Sequence, residues 1–384
     1  MKRPYWWLAG AVALFLAIAT GLRTCGDPGV RVEDSSGETA DIVPGLTLRD
    51  VTLEQQDDDG GLLWKVDAEE VTYSSDQEVA DLVRPEGELY QDGQLLYRVK
   101  ADTGTIRENG QVIFLEGNIV ATGEQNQMVI YGQNLEWRPE ADVMIVRNGL
   151  TGNHPQIRAQ ANEARIYDVE SRMELEGEVV ATTVVADPQV DPWLKLQGET
   201  VLWQWDQETL ASDRPLRIEQ FENAKVTQVF AGQRGLVELS EDRVTLEESV
   251  KAQLLDVPME LTTDKAIWDV EAERVQAVSS VRVVEPEQQL TITSQQGEFD
   301  LAEQIAYFSR DVLALAAKNN GRLTSDRLRW NLEDQTVFAE GAVNYQQTNP
   351  QLNVRGPQAR GRIESQTVLM DGGRVTTELV PDNN

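Results

Sequence analysis

Trp64-Lys65-Val66-Asp67-Ala68-Glu69-Glu70-Val71-Thr72-Tyr73 sets the pattern for the rest of this chain. Trp64, Val66 and Ala68 fall on one face of an extended backbone, and Val71 and Tyr73 on a face of the opposite parity. Successive side chains of a strand point to opposite faces, so this change of parity predicts a bulge or corner near Glu69-Glu70. The same figure returns to the end of the sequence. With Ala68 as position zero, its counterparts are Ala101, Gly132, Ala161, Gly198, Gly232, Thr263, Ser294, Ser325 and Gly356. From Gly232 onward the spacing is 31 residues; before it, 29 to 37.

Five residues after each small one stands a large apolar residue: Tyr73, Ile106, Trp137, Ile166, Trp203, Val237, Trp268, Phe299 and Trp330, the last copy failing with Gly361. Twelve residues after it stands another apolar position: Ala80, Ile113, Met144, Met173, Leu210, Val244, Val275, Ala306, Val337 and Val368. A polar tract such as Asp76-Gln77-Glu78 lies between them. Strand, polar turn and returning strand make a hairpin. A fixed period means stacked units, none able to bury its apolar face alone. The expectation is an all-β chain, an extended antiparallel β-jellyroll of about ten tandem units. Turns this short forbid most parallel connections. A right-handed β-helix is the rival architecture.

The totals narrow the classes. A formal charge of −31 on 384 residues argues against binding nucleic acid, whose phosphates need a basic surface. It keeps a long, edge-exposing β protein soluble. One cysteine rules out an intramolecular disulfide.

Lys2 and Arg3 precede Tyr5, Trp6 and Trp7, and the run from Leu8 to Leu22, with Leu14, Phe15, Leu16 and Ile18, is apolar apart from glycine and Thr20. Counted with the aromatics, its length is close to the minimum for a spanning helix, and the basic residues before it predict a cytoplasmic N-terminus. A cleaved signal peptide is the alternative, since small residues stand before the polar region. Residues 1–24 are read as a retained anchor. Arg23 makes Cys25 a poor lipoprotein cysteine, and an unmodified thiol is the expectation. Residues 25–45 form a polar tether, with structure beginning near Leu46. Further on, Asp187-Pro188 and Asp191-Pro192 interrupt the strands, because proline cannot donate to a ladder. Residues 183–192 are therefore read as a seam between a first jellyroll half, 46–182, and a second, 193–384.

Val51-Thr52-Leu53-Glu54-Gln55, the acidic-glycine turn after it, Trp64 to Glu69, Tyr73, Arg84-Pro85 and Leu89-Tyr90 resemble the start of the LptC family. That family is the membrane-anchored periplasmic component of the lipopolysaccharide export machine. Tyr97-Arg98-Val99-Lys100-Ala101-Asp102 and Leu115-Glu116-Gly117-Asn118-Ile119-Val120 continue the likeness and also resemble bridge proteins of the OstA/LptA type. The resemblance covers Leu46 to about Thr182; the chain is longer than is usual for the family. It implies a non-enzymatic lipid conduit without cofactor, held in the inner membrane by one helix with most of the chain periplasmic. The implied partners are lipopolysaccharide, the transmembrane subunits of an ABC transporter, and a periplasmic bridge or outer-membrane β-jellyroll. A cytoplasmic partner would hydrolyse the ATP.

The residues themselves offer little chemistry. His154, the only histidine, sits in Gly152-Asn153-His154-Pro155 and reads as a surface loop residue. One His and one Cys cannot assemble a zinc or thiol site by the usual ligand rules. The carboxylates concentrate in turns, where solvation is their ordinary role, and no glycine-rich phosphate loop precedes a helix. The recurring aromatics are the one feature able to carry function. Tyr73, Trp137, Trp203, Trp268, Phe299 and Trp330 would form a ladder that either fills the core or lines an apolar groove for acyl chains. The series Leu82, Leu115, Val146, Leu175, Leu246, Phe308 and Met370 is an equal candidate lining, and which parity faces inward stays open. Two further classes remain: a structural or adhesive surface repeat, and a polysaccharide-binding solenoid.

Overall fold

In the computed structural model the described residues are 46–379, apart from 58, 59, 92, 108, 109, 256, 349, 350, 364 and 366. The expected anchor, with Tyr5, Trp6, Trp7, Leu14, Phe15, Leu16 and Ile18, and the tether with Cys25 lie outside them. Among the described residues no helix is long and apolar enough to cross a membrane. The regular structure there is all β, apart from single 3-10 turns such as Pro139–Ala141.

Strands run from Thr47–Gln56 to Thr376–Leu379, and every pairing is antiparallel. That removes the β-helix, whose coils pair in parallel. The chain meanders, each pass lying beside the one before it, and the sheet is creased along its length. Strand Leu62–Tyr73 shows the crease: Trp64 to Asp67 pair with Glu86–Gln91, whereas Glu70 to Tyr73 pair with Ala80–Val83. The change of partner falls at Ala68-Glu69, and the buried face changes parity there. Strand Val112–Gly123 does the same, its two ends pairing with Thr103–Arg107 and Gln94–Lys100.

One distance shows that the crease folds the sheet shut. Phe230 pairs with Ala252, and Trp268 with Val244, on the single strand Arg243–Leu254. Eight residues of strand extend roughly 26 Å. Yet the two rings stack with centroids 4.4 Å apart, which a flat sheet forbids. The sheet is thus two leaves joined at a crease, with the core between them, a jellyroll-like arrangement.

The crease explains the small residues. A Cβ on Gly132 would lie 2.5 Å from Val146 Cγ1, and one on Gly232 would lie 3.2 Å from the carbonyl oxygens of Arg234 and Glu247. Where serine stands instead, its hydroxyl donates to a carbonyl that the bend leaves near it: Ser294 Oγ to Gln296 O at 2.7 Å and Ser325 Oγ to Arg327 O at 3.0 Å. On neighbouring passes the bend is made by two successive left-handed residues, as at Gly117-Asn118, Gly177-Glu178, Glu248-Ser249 and Gly341-Ala342. Such conformations are costly for L-residues and mark designed bulges.

Strands Arg172–Thr183 and Trp193–Gln204 pair with each other on either side of the proline-containing loop, Ala181 opposite Leu196 and Val180 opposite Gln197.

Candidate functional site

The two candidate linings turn out to be neighbours on one face. Tyr73 pairs with Ala80, Ala80 with Ile106, Ile106 with Ile113, Ile113 with Trp137, and Trp137 with Met144. Further on Met173 pairs with Trp203, Trp203 with Leu210, Val244 with Trp268, Val275 with Phe299, Ala306 with Trp330, and Trp330 with Val337. The residues five and twelve places after each crease therefore form one row across the second leaf. Beside it runs another: Leu82, Gly104, Leu115, Leu135, Val146, Ala164 and Leu175, each opposite the next. Residues two apart on a strand share a face, so both rows point between the leaves. Parity was never a choice between these two series.

Both rows are buried. Leu115, Trp137, Val146, Trp203, Trp268, Phe299 and Trp330 are at most 3% exposed, and Tyr73, at the end of its strand, is half-buried. In this state the aromatics fill the interior over most of its length. Large and small residues alternate to make this fit: a Cβ on Gly235 would lie 2.7 Å from Leu246 Cδ2 and 2.9 Å from Leu216 Cδ1. The fit has a polar cost, since the indole N–H groups of Trp137, Trp203 and Trp330 are buried with no acceptor among the described residues. An unsatisfied donor of this kind costs about 1–3 kcal/mol.

Opposite the crease, the hairpin turns of the two leaves form two lips. Among the described residues, three groups of hydrogen bonds join them. Trp64 Nε1 donates to Gly110 O at 2.8 Å. The Tyr97 hydroxyl and the Asn126 amide donate to Asp168 Oδ1, at 3.0 and 2.8 Å. Gln156 Nε2 donates to Glu208 Oε1 at 3.0 Å and to Trp205 O at 3.3 Å. His154, expected on the surface, is half-buried beside the third group, its ring edge-on to Trp203 at 4.8 Å; burial lowers its pKa. Burial raises the Asp168 carboxyl, and burial together with the Asp168 charge pushes the Tyr97 phenol well above its ordinary range.

One row was hidden in the polar turns. Trp205, Leu239, Val270, Leu301, Leu332 and Ile363 stand seven places after their crease residues, and all pack against the core. Each N–H donates to a carbonyl of the preceding turn, Leu239 to Glu208 O and Leu332 to Gln304 O at 2.8 Å among them. Their common spacing was legible, but a single apolar residue in an acidic turn does not look like core. Among the described residues no group of three His, Cys, Asp or Glu side chains is placed to hold a metal ion.

A creased antiparallel repeat with an apolar interior, two lips and, among the described residues, an unpaired strand edge at each end is a scaffold built around its own inner face. The family model for lipopolysaccharide-assembly, LptC-related proteins matches residues 11–145 and 280–373, and the chain belongs to that family. Among solved structures it is similar to LptH of Pseudomonas aeruginosa, described as the LptA-homologous periplasmic component of the lipopolysaccharide transport device. The similarity has 24% identity, covers 31% of this chain and 79% of that one, and has a TM-score of 0.27. No curated protein matches the chain.

Proposed function

We propose that this chain is a non-enzymatic conduit that receives lipopolysaccharide from an inner-membrane ABC transporter and passes it across the periplasm toward the outer membrane. The observation that carries this reading is the pair of apolar rows, which run side by side along one inner face. Acyl chains buried there gain roughly 25 cal/mol per Å² of apolar surface removed from water, while the sugar stays outside the lips. Tyr73, Leu115, Trp137, Val146, Trp203, Trp268, Phe299 and Trp330 would line the path. Because these side chains fill the closed interior, lipid enters only when the lips part. The unpartnered indole N–H groups would then find acceptors in the ester and amide carbonyls of the lipid.

The chain is about ten hairpin units long in this reading. Residues 1–24 anchor it as a single-pass helix with the N-terminus in the cytoplasm, packed beside the transporter's transmembrane subunits; the family match begins inside that segment. Residues 46–182 receive the lipid. Residues 193–384 extend the path and stand in for part of a separate bridge; the ladder pairing on either side of loop 184–192 supports one continuous groove. Among the described residues, strand Thr47–Gln56 pairs on one side only, as do the segments Thr367–Asp371 and Thr376–Leu379, so each end would offer an edge to a neighbouring jellyroll.

Photocrosslinking amino acids at Trp137, Trp268 and Leu115 test the reading. Capture of lipopolysaccharide, dependent on ATP hydrolysis by the transporter, is the expected result. Capture of glycan without lipid, or of nothing, at all three positions would overturn it.

A further inference from the structure

The repeat breaks once in its large apolar position, at Gly361, and the missing side chain leaves a hollow. Gly361 stands in the first row between Val337 and Val368, where the equivalent residue one unit earlier is Trp330. The surrounding inner residues are small as well: Ala314 and Ala316 on the first leaf, Ala339 and Ala359 on the second. With Leu290 and Ile292 among its walls, the space is almost wholly apolar and measures about 100 Å³. A dry cavity of ~150 Å³ holds benzene, so this one takes a few carbons of an acyl chain as it stands.

A second hollow, of about 930 Å³, lies on the outer side of the same leaf, and Arg360, Gly361, Arg362, Thr367 and Val368 line both. Its floor is a cross-strand row in which Tyr307 pairs with Arg329, Arg329 with Phe338, Phe338 with Arg360, and Arg360 with Leu369. Arg360 lies over the Phe338 ring at 5.4 Å. Arg327 is held by Glu340 at 3.2 Å, but Arg329, Arg360 and Arg362 form no ion pair with a described residue. Residues 305–384 carry nine basic and nine acidic side chains, so the whole formal charge of −31 belongs to the residues before them. An anion repelled along most of the chain meets no net charge here and three guanidinium groups without an ion-pair contact, of which Arg329 and Arg362 feel only the longer-range field of Asp334.

We propose that this end of the chain is a binding site for a phosphorylated lipid. An acyl chain occupies the Gly361 hollow, and the phosphate is held by Arg362, at the lip, with Arg360 and Arg329 beyond it. Guanidinium groups suit this role because their forked donors match phosphate oxygens. The site rests on the conduit reading and names where along the path the lipid pauses.

The test is equilibrium binding of bis-phosphorylated lipid A, and of its dephosphorylated form, to the full chain in detergent. Gly361→Leu and the triple variant Arg329→Gln, Arg360→Gln, Arg362→Gln are each expected to weaken the phosphorylated lipid about tenfold, the scale of one lost charge-assisted contact. The triple variant should leave the dephosphorylated lipid unchanged, whereas Gly361→Leu should weaken both. A Cβ on Gly361 would lie 2.9 Å from Thr367 O, so Ala314→Leu, which fills the hollow from the opposite wall, is the companion if the first variant misfolds. Unchanged affinity in all three variants would overturn the site and leave the conduit standing. Displacement by inorganic phosphate with no effect of either leucine would also overturn it, showing an anion site with no acyl component. Absence of any lipid A binding by the parent chain would remove the conduit reading as well.

Discussion

Asp168 accepts from Tyr97 and Asn126 across the mouth, and its surroundings make it a pH-dependent element of that closure. Burial raises its carboxyl above the ordinary value of 3.8, against the lowering effect of the two hydrogen bonds. Stability contributed by a carboxyl with a raised folded-state pKa is fully present below pH 3.8 and is lost as the pH rises through the folded value. Asp168→Asn removes that loss and keeps an acceptor oxygen. The variant is expected to melt at or above the parent at neutral pH, with the difference vanishing below pH 3.8; thermal melts across that range check it. Gly235 makes the complementary point about packing. Valine there meets Leu246 and Leu216 inside van der Waals distance, and overpacking of this kind costs about 1–3 kcal/mol. Urea unfolding of Gly235→Val measures it; parent-like stability would mean that the leaves separate more readily than their fit implies.

At the scale of the element, the crease and the lips obey different physics. The crease is set by backbone conformation. Gly117 and Gly149 both have φ near +80°, at +79° and +85°, yet a Cβ on Gly117 would lie 2.6 Å from Asp102 Oδ2, while one on Gly149 meets nothing within 4 Å. Gly149→Ala is expected to cost about 1 kcal/mol, the left-handed penalty alone. Gly117→Ala should cost clearly more, and denaturant midpoints compare the two directly. The lips are held by side-chain hydrogen bonds, and in the conduit reading they are the part that opens. A disulfide or short thiol cross-link between cysteines placed at Asn126 and Asp168, in a Cys25→Ser background, should lock them. Lipid capture from Trp268 is then expected to stop and to return on reduction. Undiminished capture in the locked protein would show that lipid enters elsewhere.

For the molecule as a whole, length is the property to be explained. Strand spacing of about 4.8 Å across a meander of this many passes spans on the order of 50–100 Å, more than one ordinary jellyroll half. If residues 193–384 replace part of a bridge, a chain ending before Trp193 should still be made and anchored but should no longer support export. Export measured by lipopolysaccharide reaching the cell surface decides this, and normal export from the truncated chain would assign the second half another role. The ladder joining Arg172–Thr183 to Trp193–Gln204 makes the loop 184–192 the natural place for such a cut, because its removal severs no single strand.

The sequence by itself determined the hairpin period, the all-β class, the small residue at every turn of parity and the likeness to the LptC family. All of these are local or periodic, and alternation along a strand is visible in one dimension. It also marked Gly361 as the odd residue of its series, without saying that the oddity encloses space. Only the tertiary structure decided that the small residues lie on one crease, that the Trp and Leu series share an inner face, and that Asp168 and Trp205 bridge the lips. Phe230 over Trp268 shows why: their contact joins the two ends of one strand's width, and folding a sheet on itself brings together residues that no spacing along the chain relates.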